Sequence, residues 1–105
     1  MILITKELQR VTPPVGTNAN KSMQELVFFI KLFTPWTYWT WYIAEMNYDT
    51  GECFGLVQGH ETELGYFNLN EIIEIKHWTG LRIERDKHFQ KASYNDIMKE
   101  PSKKS

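Results

Sequence analysis

The fold is decided by two neighbouring stretches, LVFFIKLF at residues 26–33 and YWTWYIAEM at residues 38–46. Both are rich in β-branched and aromatic residues, and apolar side chains alternate along them, which is typical of β-strands. Thr34 and Pro35 lie between the two runs and interrupt the pattern. We therefore predict two adjacent strands, the first within residues 24–34 and the second over residues 38–46.

Turn-forming residues mark two further strands. The sequence DTG at residues 49–51 is a hairpin signal, and a turn at residues 59–60 separates short strands at residues 52–59 and 63–67. Together with the first two strands, they predict an antiparallel meander over residues 24–67. The side chains expected to contribute to one common core are Phe28, Ile30, Trp41, Leu56 and Phe67.

Short helices are predicted before and after the sheet. Thr5 is placed to cap the first one, in which Leu8 and Val11 face the core, and Asn68 with Glu71 has the spacing of a capping box. The class is therefore α+β: a small antiparallel meander sheet with short helices at the N-terminus and after the sheet. The predicted segments are an N-terminal helix at 1–14, the sheet at 24–67, a helix at 68–76, a final strand and helical turn at 81–100, and a tail at 101–105.

Size and composition indicate a single domain. The chain has 105 residues, 42% of them apolar, which suffices for a core without metal or disulfide staples. Its single cysteine, Cys53, has no partner for a disulfide, which favours a reducing compartment. The longest apolar run, residues 26–30, is too short to cross a bilayer. We expect a cytoplasmic protein.

Aromatic residues are concentrated in the first two strands. Eight of the fifteen lie between Phe28 and Tyr42, so both faces of these strands carry large side chains. A sheet covered on one side by short helices leaves two alternatives. Either the sheet curls into a partial barrel, or one aromatic face remains for a partner.

Charge is strongly divided along a chain whose formal net charge is only −1. Residues 32–75 contain seven carboxylates and no lysine or arginine, whereas residues 76–105 contain eight basic and four acidic residues. We expect Arg85 to pair with a carboxylate of the acidic middle and to connect the basic end to it. A stretch of 44 residues without a cation repels phosphate, but it complements a basic cleft on another protein.

The partner-binding surface is predicted from this acidic and aromatic segment. The alternative is that the charges are solvated groups at turns and strand edges, where they prevent aggregation. The residues expected to bind the partner are Trp36, Tyr38, Glu45, Tyr48, Asp49, Glu52, Glu61 and Glu63. The expected partner is a protein with a basic nucleic-acid-binding surface, and we expect neither direct nucleic-acid binding nor membrane binding.

Signals for catalysis are weak. His60 lies near Glu61 and Glu63, but the chain has no histidine pair at metal-ligand spacing, so we predict no metal site and no cofactor. Cys53 has no basic neighbour in the sequence and is expected to be a small core residue rather than a nucleophile.

Five ordered motifs carry a resemblance to a known family. They are FTP at 33–35, WTWY at 39–42, FGLV at 54–57, ELGYF at 63–67 and IERD at 83–86. The chain resembles, from about Leu3 to Phe89, a family of small bacterial proteins classed as a domain of unknown function. Members are met on plasmids, conjugative elements and phages, often near antirestriction genes. The resemblance implies a mobile-element context and a compact α+β fold, and it transfers no catalytic residue.

We expect a non-enzymatic inhibitor of host defence, of the anti-CRISPR or antirestriction type, that binds a nucleic-acid-processing protein such as a defence nuclease. The alternative is a single-stranded nucleic-acid-binding or replication accessory module that uses Trp78 and the basic C-terminal segment. A third hypothesis is a small hydrolase that acts through Glu45, Glu61 and Glu63.

Overall fold

Seven strands, three α-helices and one 3-10 turn form within residues 3–99, the part of the chain that the computed structural model describes. The helices are α1 (Lys6–Val11), α2 (Leu69–Ile73) and α3 (Tyr94–Lys99), and the 3-10 turn is Met23–Glu25. The strands are β1 (Val27–Phe28), β2 (Ile30–Phe33), β3 (Thr40–Met46), β4 (Glu52–Gln58), β5 (Thr62–Asn68), β6 (Glu84–Arg85) and β7 (Ala92–Ser93). The predicted tail at 101–105 lies outside the described residues.

The main sheet has five antiparallel strands in the order β5-β4-β3-β2-β6, and β1 pairs with β7 in a separate two-stranded sheet. Strands β2 to β5 follow one another as sequence neighbours, so the meander and the α+β class are confirmed. β5 and β6 form the two edges of the main sheet and do not pair with each other. The sheet is therefore open, and the partial barrel is not formed by the described strands.

The predicted first strand is divided at Phe29. The Phe29 amide donates a hydrogen bond to the carbonyl oxygen of Ile43 at 2.9 Å, and the chain changes from one sheet to the other at this point. Phe28 consequently packs in a different cluster from Ile30, although simple alternation places both on one face. Residues 24–34 thus form a 3-10 turn and two short strands instead of one continuous strand.

The sheet is buried on both faces, so the prediction of one common core is wrong. Every residue of β3 after Thr40 is buried. One cluster contains Ile30 and Trp41, with Phe67 packed against it, and the other contains Phe28 and Leu56. Short elements cover both sides: Ile4, Leu69, Ile72 and Ile83 lie on the first, and Leu26 and Ile97 lie on the second.

Helix capping follows the sequence with small differences. The Thr5 hydroxyl accepts a hydrogen bond from the Leu8 amide at 3.2 Å, as predicted, and Leu8 packs on the core, but Val11 is 44% exposed. Asn68 caps α2 through the amide of Asn70 rather than that of residue 71. α2 ends at Ile73, earlier than the predicted 68–76 helix.

The last part of the chain is less regular than its alternating sequence suggests. Only Glu84–Arg85 of the predicted strand at 81–85 pairs with the sheet, opposite Phe33 and Leu32 of β2. α3 begins with a reciprocal cap, in which the Asp96 amide donates to the Ser93 hydroxyl and the Ser93 amide donates to the Asp96 carboxylate. Within residues 3–99, no helix combines the length and the apolar composition that a bilayer span requires.

Candidate functional site: the tryptophan end of the sheet

The predicted partner-binding residues fall at both ends of the sheet and in its interior. The loop between β2 and β3 and the turn between β4 and β5 lie at one end, whereas the turn between β3 and β4 lies at the other. Strands of seven residues separate the two ends by roughly 20 Å. Trp36, Tyr38, Glu61 and Glu63 belong to the first end, and Tyr48, Asp49 and Glu52 belong to the second. The prediction that all eight form a single surface is therefore wrong.

Glu45 is buried and serves a structural purpose. It is 2% exposed, and its two carboxylate oxygens accept hydrogen bonds from the amides of Gly16 and Asn18, each at 2.7 Å. The β3–β4 register shifts between Ile43 and Glu45, and this irregularity accompanies the inward position of the side chain. Because Glu45 is buried, it cannot contact a partner, and its predicted place in the binding surface is wrong.

The three carboxylates considered for hydrolysis do not meet. Glu45 pairs with Phe54 on β4, whereas Glu63 pairs with Val57, and these two positions lie on opposite faces of the sheet. Glu61 is exposed in the turn beyond β4. Glu45 is therefore separated from Glu63 by the sheet, and Glu61 and Glu63 are both exposed rather than buried together as an acid and a base.

All four tryptophans of the chain gather at the first end, which we call the tryptophan end. Trp39 lies over Gly59, where a Cβ atom would stand 2.5 Å from the indole ring, so the glycine makes room for it. The Trp39 ring centroid is 6.0 Å from that of Trp41 and 5.7 Å from that of His60. These contacts join the β4–β5 turn to the start of β3.

The remaining two tryptophans, Trp36 of the β2–β3 loop and Trp78 of the segment between α2 and β6, both contact His77. The Trp36 ring lies 5.2 Å from the His77 ring, which is 5.5 Å from the Trp78 ring. A tight turn presents Trp78: the His77 amide donates to the Leu81 carbonyl and the Gly80 amide donates to the His77 carbonyl, both at 2.8 Å. Gly80 has a φ of 98°, which glycine adopts without steric cost. Trp78 is 89% exposed on an ordered turn, the most exposed of the large apolar residues described.

The sequence predicted a role for Trp78 only in the alternative function, single-stranded nucleic-acid binding. A signal was nevertheless present, because HWTG at residues 77–80 places a tryptophan before a threonine and a turn-forming glycine. Tryptophan is enriched among the residues that dominate binding energy in protein interfaces.

A groove of about 880 Å³ opens at the same end, on the face of the sheet that carries Phe28 and Leu56. Tyr38 and Glu61, two of the predicted residues, line it, together with residues 84–88 and the side of α3. Sequence analysis did not predict this groove, because its walls come from four segments that are far apart in the chain.

Lys31 lies at the inner wall of the groove and is only 7% exposed. Its Nζ atom stands 3.6 Å from the Asp86 carboxylate and 5.7 Å from the centre of the Tyr42 ring. A buried ammonium group requires such compensation, since desolvation of an unpaired charge is costly. The ion pair fixes residues 84–88 against β2.

Arg85 does not make the predicted ion pair. Its Nε atom donates to the carbonyl oxygen of Leu3 at 2.9 Å, and no carboxylate of residues 3–99 lies within ion-pair distance. Register explains the difference: Arg85 pairs with Leu32, so it faces the N-terminal segment on the first core rather than the acidic turns. The basic end is instead connected to β2 through Asp86 and Lys31.

The described residues contain no cluster of metal-ligating side chains. No group of three or more histidine, cysteine, aspartate or glutamate side chains within residues 3–99 converges as metal ligands would. His60 turns its ring towards Trp39.

Cys53 lies in the first core, fully buried, as the sequence predicts. Burial raises the pKa of its thiol to about 12. Because the folded pKa lies above the unfolded value, this contribution to stability is complete below about pH 9 and is lost as the pH rises towards about 12. We expect the melting temperature of the wild type to fall more steeply between pH 9 and 11 than that of Cys53→Ala, measured by circular dichroism. Parallel curves for the two proteins would contradict this prediction.

The comparison with protein families confirms that the chain carries a domain of unknown function. Residues 3–97 match the family described as "Protein of unknown function (DUF2958)". Among curated proteins and among solved structures, none matches the chain. Since the family match covers far more than half of the sequence, the chain belongs to the DUF2958 family.

Proposed function

We propose that this protein is a non-enzymatic inhibitor of host defence, encoded by bacterial mobile elements and acting in the cytoplasm. It binds a defence nuclease, or another protein that processes nucleic acid, through the tryptophan end of its sheet. The observation that carries this proposal is the exposure of Trp78, which is 89% exposed on a hydrogen-bonded turn at the end of the sheet where Trp36 and Trp39 also lie. Anchoring tryptophans of this kind supply most of the affinity in protein interfaces.

Electrostatics indicate the kind of surface that the partner presents. Glu61 and Glu63 are exposed beside the aromatic side chains, at the turn where β5 begins. Carboxylates next to aromatic anchors favour a basic surface, because opposite charges accelerate encounter while the anchors slow dissociation. Proteins that hold nucleic acid carry such basic surfaces. An inhibitor that binds such a surface through its carboxylates would occupy the place of the phosphate backbone.

One observation supports the alternative, a single-stranded nucleic-acid-binding module. Lys76 and Arg82 pair across the base of the turn that carries Trp78. An exposed indole between two cations can stack on a base while the cations contact phosphates. Fluorescence anisotropy with a labelled oligo-dT separates the alternatives. Tight, salt-sensitive binding that is lost in Lys76→Ala/Arg82→Ala would favour the alternative over defence inhibition.

The proposal predicts that charge reversal at the tryptophan end weakens partner binding. In Glu61→Lys/Glu63→Lys, we expect at least about a tenfold loss of affinity, on the order of 1.4 kcal/mol, because two attractive charges become repulsive. The melting temperature should stay nearly constant, since both side chains are exposed. Bacteria that carry restriction or RNA-guided defence and express the variant should plate unmodified phage less efficiently than those expressing the wild type. The nuclease subunit that co-purifies with the wild-type protein is then used to measure the affinity of both proteins.

Asp49→Lys/Glu52→Lys is the matched control, because it reverses two exposed charges at the opposite end of the sheet. It should retain protection of phage and binding of the nuclease. Equal losses in both double variants would argue against a localised surface. No protection by the wild type against any defence system tested would argue against the proposed function itself.

A further inference from the structure

The groove at the tryptophan end has a floor that runs across the whole main sheet. Directly paired residues of antiparallel strands point to the same face, so one row of side chains crosses all five strands. The row consists of Glu84 on β6, Phe33 on β2, Thr40 on β3, Gln58 on β4 and Thr62 on β5. All five line the groove.

The length of this floor fits an extended polypeptide. Five strands spaced about 4.8 Å apart span roughly 19 Å. An extended chain advances about 3.3 Å per residue, so about six residues cover the same distance. Tyr38 and Glu61 stand on one side of the row, and the Lys31–Asp86 pair with Met98 of α3 stands on the other. The groove is therefore a channel with two walls rather than a closed pocket for a compact ligand.

Charges are placed at the two ends of the channel. Glu84 lies at the β6 end and Glu61 near the β5 end; both are exposed, and neither forms an ion pair with another residue of 3–99. Lys31 and Asp86 compensate each other, and the Nε atom of Arg85 donates to Leu3 on the other side of the sheet. Lys87 is the remaining lysine among the lining residues. Each end of the channel thus presents one exposed carboxylate that forms no ion pair within residues 3–99.

The middle of the channel suits a peptide backbone. Gln58 and Thr62 offer neutral amide and hydroxyl groups that can both donate and accept hydrogen bonds, as backbone amides and carbonyls require, and the Thr40 hydroxyl, which donates to the Tyr38 carbonyl oxygen, can accept one. The Phe33 ring lies next to Glu84 in the row, where a lysine or arginine side chain gains cation–π attraction.

We propose that this groove binds an extended, basic peptide segment of the partner, with one lysine or arginine near Glu84 and another near Glu61. The inference rests on the proposed function, because it names the element of the partner that the tryptophan end recognises. Trp78 and the other exposed aromatic side chains then contact the surface around that segment.

The test uses a blocked hexapeptide with arginine at both ends and serine and glycine between, titrated into the full-length 15N-labelled protein. We expect saturable amide shifts at Phe33, Thr40, Gln58 and Thr62, whereas the same peptide with glutamate in place of arginine should leave these signals unchanged. Glu61→Gln/Glu84→Gln should weaken binding at least fivefold, and Asp49→Asn/Glu52→Gln should not. Equal shifts with both peptides, no saturable shift in the groove, or groove shifts caused by oligo-dT instead would overturn the inference.

A second variant separates this inference from the proposed function. Gln58→Trp places a large side chain in the middle of the channel, and an unchanged amide spectrum elsewhere would show that the variant is folded. If it still protects phage and binds the nuclease, the groove is not the site of recognition, although defence inhibition stands. If the arginine peptide binds in the groove but the wild type protects against no defence system, peptide binding stands and the proposed function fails.

Discussion

Gly55→Ala is expected to destabilise the protein by about 3 kcal/mol, because the added methyl group meets backbone and not a movable side chain. A Cβ atom at Gly55 would lie 1.8 Å from the carbonyl oxygen of Tyr42. Gly55 pairs with Ile43, next to the irregularity between Ile43 and Glu45, so β3 approaches β4 unusually closely here. Removing this steric clash requires a shift of the central strand, which both cores hold in place. The melting temperature should fall by roughly 12–24 °C.

Gly65→Ala is the matched control. Gly65 is the neighbour of Gly55 on β5, but a Cβ atom there meets no atom within 4 Å. Alanine at this position should leave stability unchanged or raise it slightly, since glycine carries an entropic cost in a strand. Thermal and urea unfolding followed by circular dichroism measure both variants. Similar melting temperatures for the two would show that the close approach of Tyr42 to β4 is absent in solution.

Glu45→Ala is expected to cost about 3 kcal/mol, because it removes two hydrogen bonds to a buried charged group. The amides of Gly16 and Asn18 lose their shared acceptor, and the loop that contains them loses its attachment to β3. Unfolding in urea should show the loss of stability. Hydrogen exchange at both amides should accelerate by more than the change in global stability explains, because the loop opens separately.

Glu61→Gln provides the comparison for Glu45, since both are glutamates of the acidic middle segment and Glu61 is exposed. Its stability should change by less than about 0.5 kcal/mol. The loss of stability in Glu45→Gln should lie between the losses in Glu45→Ala and Glu61→Gln, because a carboxamide retains one acceptor oxygen for one of the amides. A neutral effect of Glu45→Ala would mean that its carboxylate is solvated, as a surface acid would be.

The sequence by itself determined the strands β3, β4 and β5 and the strand order of the meander. Alternating aromatic and β-branched residues separated by Pro35, Gly51 and Gly59 are local signals, and a strand followed by a short turn pairs with its neighbour. Caps at Thr5 and Asn68 were recognisable for the same reason, since a cap depends on residues within one turn.

The tertiary structure alone decided which residues share a surface. The break at Phe29 moves Phe28 and Ile30 into different cores, and no local pattern predicts it, because β1 pairs with β7 more than sixty residues away. The acidic segment forms no single patch, since successive hairpin turns lie at opposite ends of a sheet and its charges alternate between them. Glu45 lies in the interior, where two backbone amides from the N-terminal segment donate hydrogen bonds to its carboxylate.

The candidate site shows the same division. Tyr38 and Glu61 were predictable as exposed loop and turn residues, because their exposure depends on local breaks in the pattern, whereas Trp36 is only partly exposed and Glu63 lies within β5. The groove with Lys31 and Asp86, and the contact of Trp36 with the His77–Trp78 turn, require segments more than forty residues apart to pack together. Composition and periodicity describe how each segment behaves, whereas long-range packing decides which segments meet, and a binding site depends on that second property.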